Sequence, residues 1–203
     1  AWLSEAWYYL RFWGPRACAA VARRLIRARR DGTGDFLAAA RAHDIAVGTV
    51  RRLADLLPLL QAETPAFVLA SVPSRVSADL RRAAVRGWVN THCGPLPRYR
   101  GRDAPFWCLY HGEPRLAVTL HLMVEEYDAG PILLQDELPN DGRPYFEMLD
   151  ALFERAYELH LRLLDATETV FGGARPQPAE GTAFGRPPAA LGRRFRRRGG
   201  RFV

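Results

Sequence analysis

Side chains suited to acid–base chemistry stand close together between Gly87 and Gly101. Asn90 and His92 lie two positions apart in a predicted strand, so both side chains leave the same face of that strand. An amide donates hydrogen bonds to negative charge that develops on a carbonyl oxygen, and an imidazole handles the proton of an attacking or departing nitrogen. The pair therefore indicates chemistry between a carbonyl carbon and nitrogen, although Asn-x-His alone is a common pattern.

A carboxylate follows in a segment that is typical of a buried strand, an acidic loop and a tight turn into another strand. Asp128 stands in that turn and is placed to reach a histidine at the end of the neighbouring strand. Such a contact raises the pKa of the histidine and fixes its orientation. From the pattern alone, a turn-forming aspartate is an equally good interpretation.

Other residues with reactive side chains are given structural interpretations. Cys93 adjoins His92, but adjacent strand residues point to opposite faces, so we expect a small buried residue rather than a nucleophile. His121 lies on a predicted buried strand and is interpreted as a core histidine whose hydrogen bonds are satisfied. No metal site is predicted, because no two histidines have a ligand spacing. The histidines are His43, His92, His111, His121 and His160.

Composition and charge exclude several classes of protein. The chain has 203 residues, 48% of them hydrophobic, which suits one globular domain with a short appendage. All 29 basic residues are arginines, which excludes a Schiff-base lysine and the lysine of a P-loop. Seven arginines follow the last acidic residue, Glu180, and the remaining 22 balance 22 acidic residues. No chain-wide basic surface is indicated, so we expect no nucleic-acid partner.

Cysteine usage and hydropathy indicate the compartment. Cys18, Cys93 and Cys108 are too few for a disulfide framework and lack the paired spacing of a zinc site. No apolar run reaches 18 residues, so no transmembrane segment is predicted. We therefore expect a cytoplasmic protein.

Predicted helices and strands alternate at short spacing, which favours an α/β fold with a doubly wound sheet. Strands are predicted at residues 45–50, 66–70, 87–91, 117–124 and 132–137. Helices are predicted near residues 36–43, 54–61, 77–85, 105–110 and 144–166. The apolar face of the last helix is expected to comprise Phe146, Leu149, Phe153, Ala156 and Leu163.

Composition also divides the chain into three parts. Residues 1–34 join an aromatic segment to an arginine-rich helix; the pair is similar to a membrane-surface anchor, but we expect the aromatic rings to pack on protein. Residues 35–171 carry the predicted sheet. Residues 172–203 are rich in Gly, Pro and Arg and are expected to form a loop-rich extension or a loose tail with solvated arginines.

Spaced motifs in one order identify a resemblance. They are Asn90-x-His92, the loop Pro95-Leu96-Pro97-Arg98-Tyr99-Arg100-Gly101, Phe106-Trp107, Gly112-Glu113, Val118-Thr119-Leu120-His121 and Asp128-Ala129-Gly130-Pro131-Ile132-Leu133-Leu134-Gln135. Together they resemble the formyltransferase family, which includes glycinamide ribonucleotide, methionyl-tRNA and sugar N-formyltransferases. The resemblance runs from about Ala66 to Gln135 and more loosely to Ala166.

The resemblance implies a Rossmann-like catalytic domain over residues 35–171, with a mostly parallel sheet flanked by helices. It implies transfer of a formyl group from 10-formyltetrahydrofolate, as co-substrate, to an amine. Asn90, His92 and Asp128 match the family's catalytic residues. Asn90 and protonated His92 would stabilise the oxyanion, while Asp128 would hold His92 and help move the proton from the amine to the departing folate nitrogen.

Two further segments match the family's folate pocket, and two features depart from the family pattern. The matching segments are the loop Pro95, Leu96 and Pro97 and the acidic loop with Glu125 and Tyr127.

Members commonly have two leucines before the loop proline; here Pro95 removes one backbone donor. The βαβ unit with which members begin is not found before Ile45, so we expect an N-terminally incomplete fold.

The resemblance favours a small-molecule amine as acceptor, for which a nucleotide-linked amino sugar is a candidate. Methionyl-tRNA formyltransferases continue into a β-rich domain, whereas about 30 residues follow Phe171 in this sequence. Three alternatives stay open: a methionyl-tRNA formyltransferase-like activity, a formyltetrahydrofolate hydrolase that uses water as acceptor, and a non-catalytic binding module on the same fold. The three intact site residues argue against the last. Assembly as a homodimer is also open.

Overall fold

The computed structural model describes residues 2–31, 36–72 and 75–203. Contacts group the chain into one unit made of Ala1–Arg52 with Pro188–Val203 and a second unit made of Leu53–Pro187. The helices are α1 (Trp2–Trp13), α2 (Pro15–Asp31), α3 (Phe36–Ala42), α4 (Leu57–Glu63), α5 (Ala78–Arg82), α6 (Ala104–His111), α7 (Tyr145–Asp165), α8 (Thr167–Gly172) and α9 (Ala189–Arg197). The strands are β1 (Val68–Ala70), β2 (Trp88–His92), β3 (Arg100–Gly101), β4 (Arg115–Leu122), β5 (Ile132–Pro139) and β6 (Ala183–Phe184). The three-part division expected from composition stays a prediction.

The first unit is helical. Its helix α1 packs against α9, and the rings of Phe12 and Phe195 both contact the ring of Phe202. Arg196 of α9 donates to the carbonyl oxygen of Phe12. The arginine-rich end of the chain thus forms an ordered helix on an aromatic core, where a loop-rich or loose segment was expected.

The strand predicted at residues 45–50 is absent from the structure, which describes all six of these residues as irregular backbone. Ile45 is 59% exposed and Val50 41% exposed. Alternating apolar residues form a strand only where a neighbouring strand takes their backbone hydrogen bonds and a surface covers their apolar face. Residues 45–50 have neither in the described part of the chain.

The second unit contains a four-stranded sheet in the order β1-β2-β4-β5. Strand β1 pairs with β2 in parallel, while β4 is antiparallel to both β2 and β5. A separate parallel pair joins β3 to β6. The α/β architecture with a sheet flanked by helices is confirmed, but the expected mostly parallel pairing is wrong for the strands of the described sheet.

The antiparallel pairings follow from the connections between the strands. Only residues 123–131 join β4 to β5, which is shorter than the dozen or more residues of a parallel crossover. Residues 93–114 leave the end of β2 and lead to the start of β4. Because His92, the last residue of β2, pairs with Thr119 in the middle of β4, the first residues of β4 lie beyond the end of β2 and the strand runs back along it.

Helices cover both faces of the sheet, and the two faces carry different side chains. On one face, Val89 and Leu120 pack in a core with Leu152 and Leu159 of α7. On the other face, Trp88 packs with the apolar side chains of α4 and α5. Asn90 and His92 share the face of Trp88, because side chains alternate along a strand.

The buried stripe of α7 differs from the predicted one. Its buried residues are Tyr145, Met148, Leu152, Ala156, Leu159 and Leu163, whereas Phe153 is 52% exposed. Phe146 and Leu149 are half-buried at the margin of the stripe. Helix α7 is apolar around more than half of its circumference, so spacing alone did not decide which residues face β4 and β5.

No helix among the described residues has both the length and the apolar character needed to cross a membrane.

Leu159→Ala should destabilise the protein by about 2–5 kcal/mol, because Leu159 is fully buried between α7 and the sheet. Leu161→Ala, on the same helix at a position that is 62% exposed, should change stability by less than about 0.5 kcal/mol. Urea unfolding followed by circular dichroism measures both. Equal losses for the two variants would contradict the placement of α7.

Candidate functional site

The register between β2 and β4 gathers polar side chains on one face of the sheet. Asn90 pairs with His121 and His92 pairs with Thr119, so all four side chains leave the same face. His92, Thr119 and His121 are buried, and Asn90 is half-buried. Buried polar side chains at the end of a strand need hydrogen-bond partners, and the loop after β4 supplies one of them.

Asp128 lies in that loop, and its carboxylate faces the polar cluster. One oxygen, Oδ2, accepts a hydrogen bond of 2.7 Å from the backbone N–H of Gly101. The other, Oδ1, lies 3.4 Å from Nδ2 of Asn90, which is a long hydrogen bond. Asp128 has a φ of +53°, a backbone conformation that Asp adopts more readily than most residues. The backbone conformation of Asp128 directs its side chain toward the cluster, and Gly101 of β3 and Asn90 of β2 hold the carboxylate there.

His92 contacts Asp128 through one specific ring nitrogen. Its Nε2 lies 2.6 Å from the carbonyl oxygen of Tyr99, an acceptor, so Nε2 carries a hydrogen and donates it. Its Nδ1 lies 3.5 Å from Oδ2 of Asp128. Because Nε2 is occupied, Nδ1 is the nitrogen available for proton exchange, and it lies beside a carboxylate.

His121 is buried and hydrogen-bonded, as expected of a core histidine, but it also contacts Asp128, which was not predicted. Its Nδ1 donates to the carbonyl oxygen of Leu122 at 2.9 Å, while its Nε2 lies 3.3 Å from Oδ1 of Asp128 and 3.2 Å from Nδ2 of Asn90. Only the pairing of β2 with β4 reveals this contact. The signal that could have found it is the antiparallel register that sets Asn90 opposite His121.

Burial and charge shift two pKa values in this cluster. Burial lowers the pKa of His92, and the nearby charge of Asp128 opposes that effect without reversing it. Burial by itself raises the pKa of Asp128, but the hydrogen bond with His121, the charge of His92 and the N–H of Gly101 together bring it below its ordinary value. The site therefore favours an ionised Asp128 beside a histidine that gives up its proton readily.

Two glycines permit the close approaches around Asp128. A Cβ on Gly101, whose φ is +91°, would lie 2.2 Å from the carbonyl oxygen of Phe184. A Cβ on Gly130 would lie 1.9 Å from the carbonyl oxygen of Leu122. Both distances are far shorter than van der Waals contact, so a side chain at either position would push the Asp128 loop away from the histidines.

The cluster forms one wall of a cavity of about 720 Å³. Asn90, His92, His121 and Asp128 all line it. The remaining walls combine apolar side chains with the acidic loop and with residues 183–185. Within the described ranges, no group of three or more His, Cys, Asp or Glu side chains is arranged to hold a metal ion.

The residues predicted to bind folate fall in two different places. Glu125 and Tyr127 line the cavity, and the guanidinium of Arg75 lies 4.9 Å from the centre of the Tyr127 ring. Residues 95–97 do not appear among the cavity-lining residues.

Instead, the loop of residues 95–97 is held by contacts outside the cavity lining. Pro95 and Leu96 are buried, and the carbonyl oxygen of Leu96 accepts a hydrogen bond from Gln135. A role of Pro95, Leu96 and Pro97 in folate binding stays a prediction.

Comparisons with known proteins show what the chain is similar to. The model of the family described as formyl transferase matches residues 27–148, which is 122 of the 203 residues. The methionyl-tRNA formyltransferase of Deinococcus radiodurans is 41% identical over 97 residues, which are 46% of this chain and 29% of that protein. The chain therefore spans less than a third of the length of that relative.

Solved structures share the fold. HypX from Aquifex aeolicus, crystallised with tetrahydrofolic acid, is 25% identical with a TM-score of 0.58, covering 68% of this chain and 24% of HypX. Phosphoribosylglycinamide formyltransferase from Bacillus halodurans is 18% identical with a TM-score of 0.53, covering 66% of this chain and 81% of that protein.

Asp128→Asn should lower the pKa of His92 below its value in the unmodified protein. The substitution removes the negative charge that raises this pKa and leaves burial and His121, which lower it. An NMR titration of the imidazole resonances, with His92 assigned by its loss in His92→Asn, measures the shift. An unchanged or higher pKa would contradict the contact between the two side chains.

Proposed function

This chain belongs to the formyl transferase family, and from that premise we propose that it transfers the formyl group of 10-formyltetrahydrofolate to an amine through Asn90, His92 and Asp128. The observation that carries the proposal is that Asn90 and His92 both contact the Asp128 carboxylate on the wall of one cavity. An amide, an imidazole and a carboxylate at hydrogen-bonding distance provide the groups that acyl transfer to nitrogen requires.

The cavity suits the folate co-substrate in size and chemistry. A volume of about 720 Å³ lies within the range of sites for cofactor-sized molecules. Val72, Val76 and Met123 offer apolar surface for flat rings, and the loop that carries Glu125 and Tyr127 offers polar groups. HypX, a relative at 25% identity, was crystallised with tetrahydrofolic acid. We assign Glu125 and Tyr127 to the folate side of the cavity.

His92 and Asp128 handle charge and protons in this reaction. The acceptor nitrogen forms a bond to the formyl carbon, the bond from that carbon to N10 of the folate breaks, and the proton lost by the amine passes to N10. Once it has taken the proton of the amine at Nδ1, His92 stabilises the negative charge that develops on the formyl oxygen. Asp128 stabilises the protonated imidazole and relays the proton between the two nitrogens.

Asn90 supplies a second donor to the developing oxyanion. Its Nδ2 lies 3.4 Å from Asp128 and 3.2 Å from His121 before substrate binds. Both contacts are long, so redirecting one N–H toward the formyl oxygen costs little. Asn90 and His92 therefore reach the oxyanion from the same strand face.

The cysteines take no part in this chemistry. Burial raises the pKa of Cys93 to about 11 and that of Cys108 to about 12, so neither is a thiolate near neutral pH. Both, like Cys18, are free thiols. Unpaired cysteines suit the cytoplasm, where we place the reaction.

We propose a small-molecule amine that carries negative charge as the acceptor, with a nucleotide-linked amino sugar as the first candidate. Arg75 and Arg102 both line the cavity and offer positive charge to a phosphate group. The identity to a methionyl-tRNA formyltransferase favours methionyl-tRNA as the second candidate. Both acceptors present a primary amine, so the roles of Asn90, His92 and Asp128 are the same for either.

His92→Ala should lower the rate of formyl transfer roughly 100-fold or more while the protein stays folded, because the variant loses its proton-transfer group. Release of tetrahydrofolate from 10-formyltetrahydrofolate is followed with amino-sugar nucleotides, methionyl-tRNA or no acceptor. His43→Ala, which truncates an exposed histidine, should keep the unmodified rate.

The same assay separates the alternatives. Turnover without any acceptor would identify a hydrolase. Titration calorimetry with 5-formyltetrahydrofolate should show saturable binding that His92→Ala retains. No binding by the folded protein would refute the proposal and leave a non-catalytic binding module, and an active His92→Ala would refute the assigned role of His92.

A further inference from the structure

The segment of residues 175–185, here called the C-terminal strap, passes beside Asp128 and lies outside the region that matches the family. It is fixed at both ends. Arg175 exchanges backbone hydrogen bonds with Ile132 at the start of β5, each 2.8 Å long. At the other end β6 pairs with β3, and the carbonyl oxygen of Gly185 accepts a hydrogen bond from the indole of Trp107.

Between these ends, Gln177 holds the backbone of the Asp128 loop. Its Nε2 donates to the carbonyl oxygens of Asp128 at 2.9 Å and of Gly130 at 2.7 Å. Its Oε1 accepts two hydrogen bonds from the guanidinium of Arg100, from Nε at 3.3 Å and from Nη2 at 3.1 Å. One amide thus joins the Asp128 loop to Arg100.

Arg100 anchors that amide from the opposite side. It is only 8% exposed, although it carries a charge. Besides Gln177, its guanidinium donates to the carbonyl oxygens of Pro178 at 2.8 Å and Ala179 at 3.3 Å. A buried guanidinium with several acceptors in fixed positions is a rigid support. The next residue, Gly101, is the one whose N–H binds the Asp128 carboxylate.

These contacts hold Asp128 at both its backbone and its side chain. Gln177 fixes its carbonyl, and Gly101 fixes its carboxylate at a point 3.5 Å from Nδ1 of His92. Asp128 has a positive φ of +53°, and its carbonyl and carboxylate contacts hold the loop in that conformation. The energy of a charge contact and the rate of a proton transfer both fall when the groups separate by about 1 Å.

We propose that Gln177 and Arg100 are positioning residues that hold Asp128 against His92, so that the C-terminal strap completes the site from outside the region that matches the family. This inference rests on the proposed function for its effect on turnover. Its effect on the geometry of Asp128 and His92 is independent of any substrate.

Gln177→Met tests the proposal, because methionine keeps the volume of the side chain and removes its hydrogen bonds. The titratable side chains that act on His92 within the described residues are Asp128 from the β4–β5 loop and His121 from β4. Since Asp128 raises the pKa of His92, a carboxylate that moves away should lower that pKa, as measured by NMR titration. In the transfer assay kcat should fall roughly 10-fold or more with KM nearly unchanged.

A second variant and a control accompany the first. Arg100→Lys keeps the charge but loses the planar fork of donors, and should lower both the His92 pKa and kcat by less than Gln177→Met does. Asn140→Ala removes another half-buried amide, one that donates to the carbonyl oxygen of Glu113 and does not line the cavity. It should leave both measurements unchanged.

The outcomes separate this inference from the proposed function. Should Gln177→Met and Arg100→Lys leave the His92 pKa as in the unmodified protein, the strap does not position Asp128, even if kcat falls. A lowered pKa in a protein that transfers no formyl group would support the positioning and refute the proposed reaction. If Gln177→Met does not fold, the titration of Arg100→Lys decides.

Discussion

The carboxylate of Asp128 is largely buried, and keeping it ionised is the constraint on which the rest of the site depends. Burial alone would favour the neutral acid, yet the pKa of Asp128 is below its ordinary value. The N–H of Gly101 and the rings of His92 and His121 offset the cost of burying the charge. His92 lies in β2, Gly101 in β3 and His121 in β4, so these three strands and the β4–β5 loop that carries Asp128 must all be correctly placed before the charge is stabilised.

The ring nitrogens of His92 and His121 have the same two kinds of partner. Each donates from one nitrogen to a backbone carbonyl and turns the other nitrogen to Asp128. A donor fixed to the backbone settles the tautomer and orientation of a ring without occupying the nitrogen that faces the cavity. Only His92 combines this arrangement with the position that the family resemblance assigns to catalysis. His121 instead completes the partners of Asp128 and Asn90.

One alternation of side chains builds both the core and the site. Along β2, Val89 enters the core under α7 while Trp88, Asn90 and His92 leave the other face. The α5 side of the sheet is covered at Trp88 by apolar side chains, and the cavity opens beyond it at Asn90 and His92. A shift of one residue in the register of β4 would turn His121 into the core and Leu120 into the cavity. The apolar packing of Leu120 thus protects the geometry of the polar site.

The sequence by itself determined the features that depend on neighbours along the chain. Side-chain alternation put Asn90 and His92 on one face, and turn residues put Asp128 in a tight loop; the motifs between residues 66 and 135 identified the family, which the matching region confirms. The tertiary structure decided the antiparallel direction of β4 and the face of α7 that is buried. It also decided the contact of His121 with Asp128 and the hydrogen bonds from Gln177 to the Asp128 loop. Each of these depends on which distant segment supplies the hydrogen bonds or covers the apolar surface. Local spacing carries no information about that choice, because the same pattern is compatible with several partners.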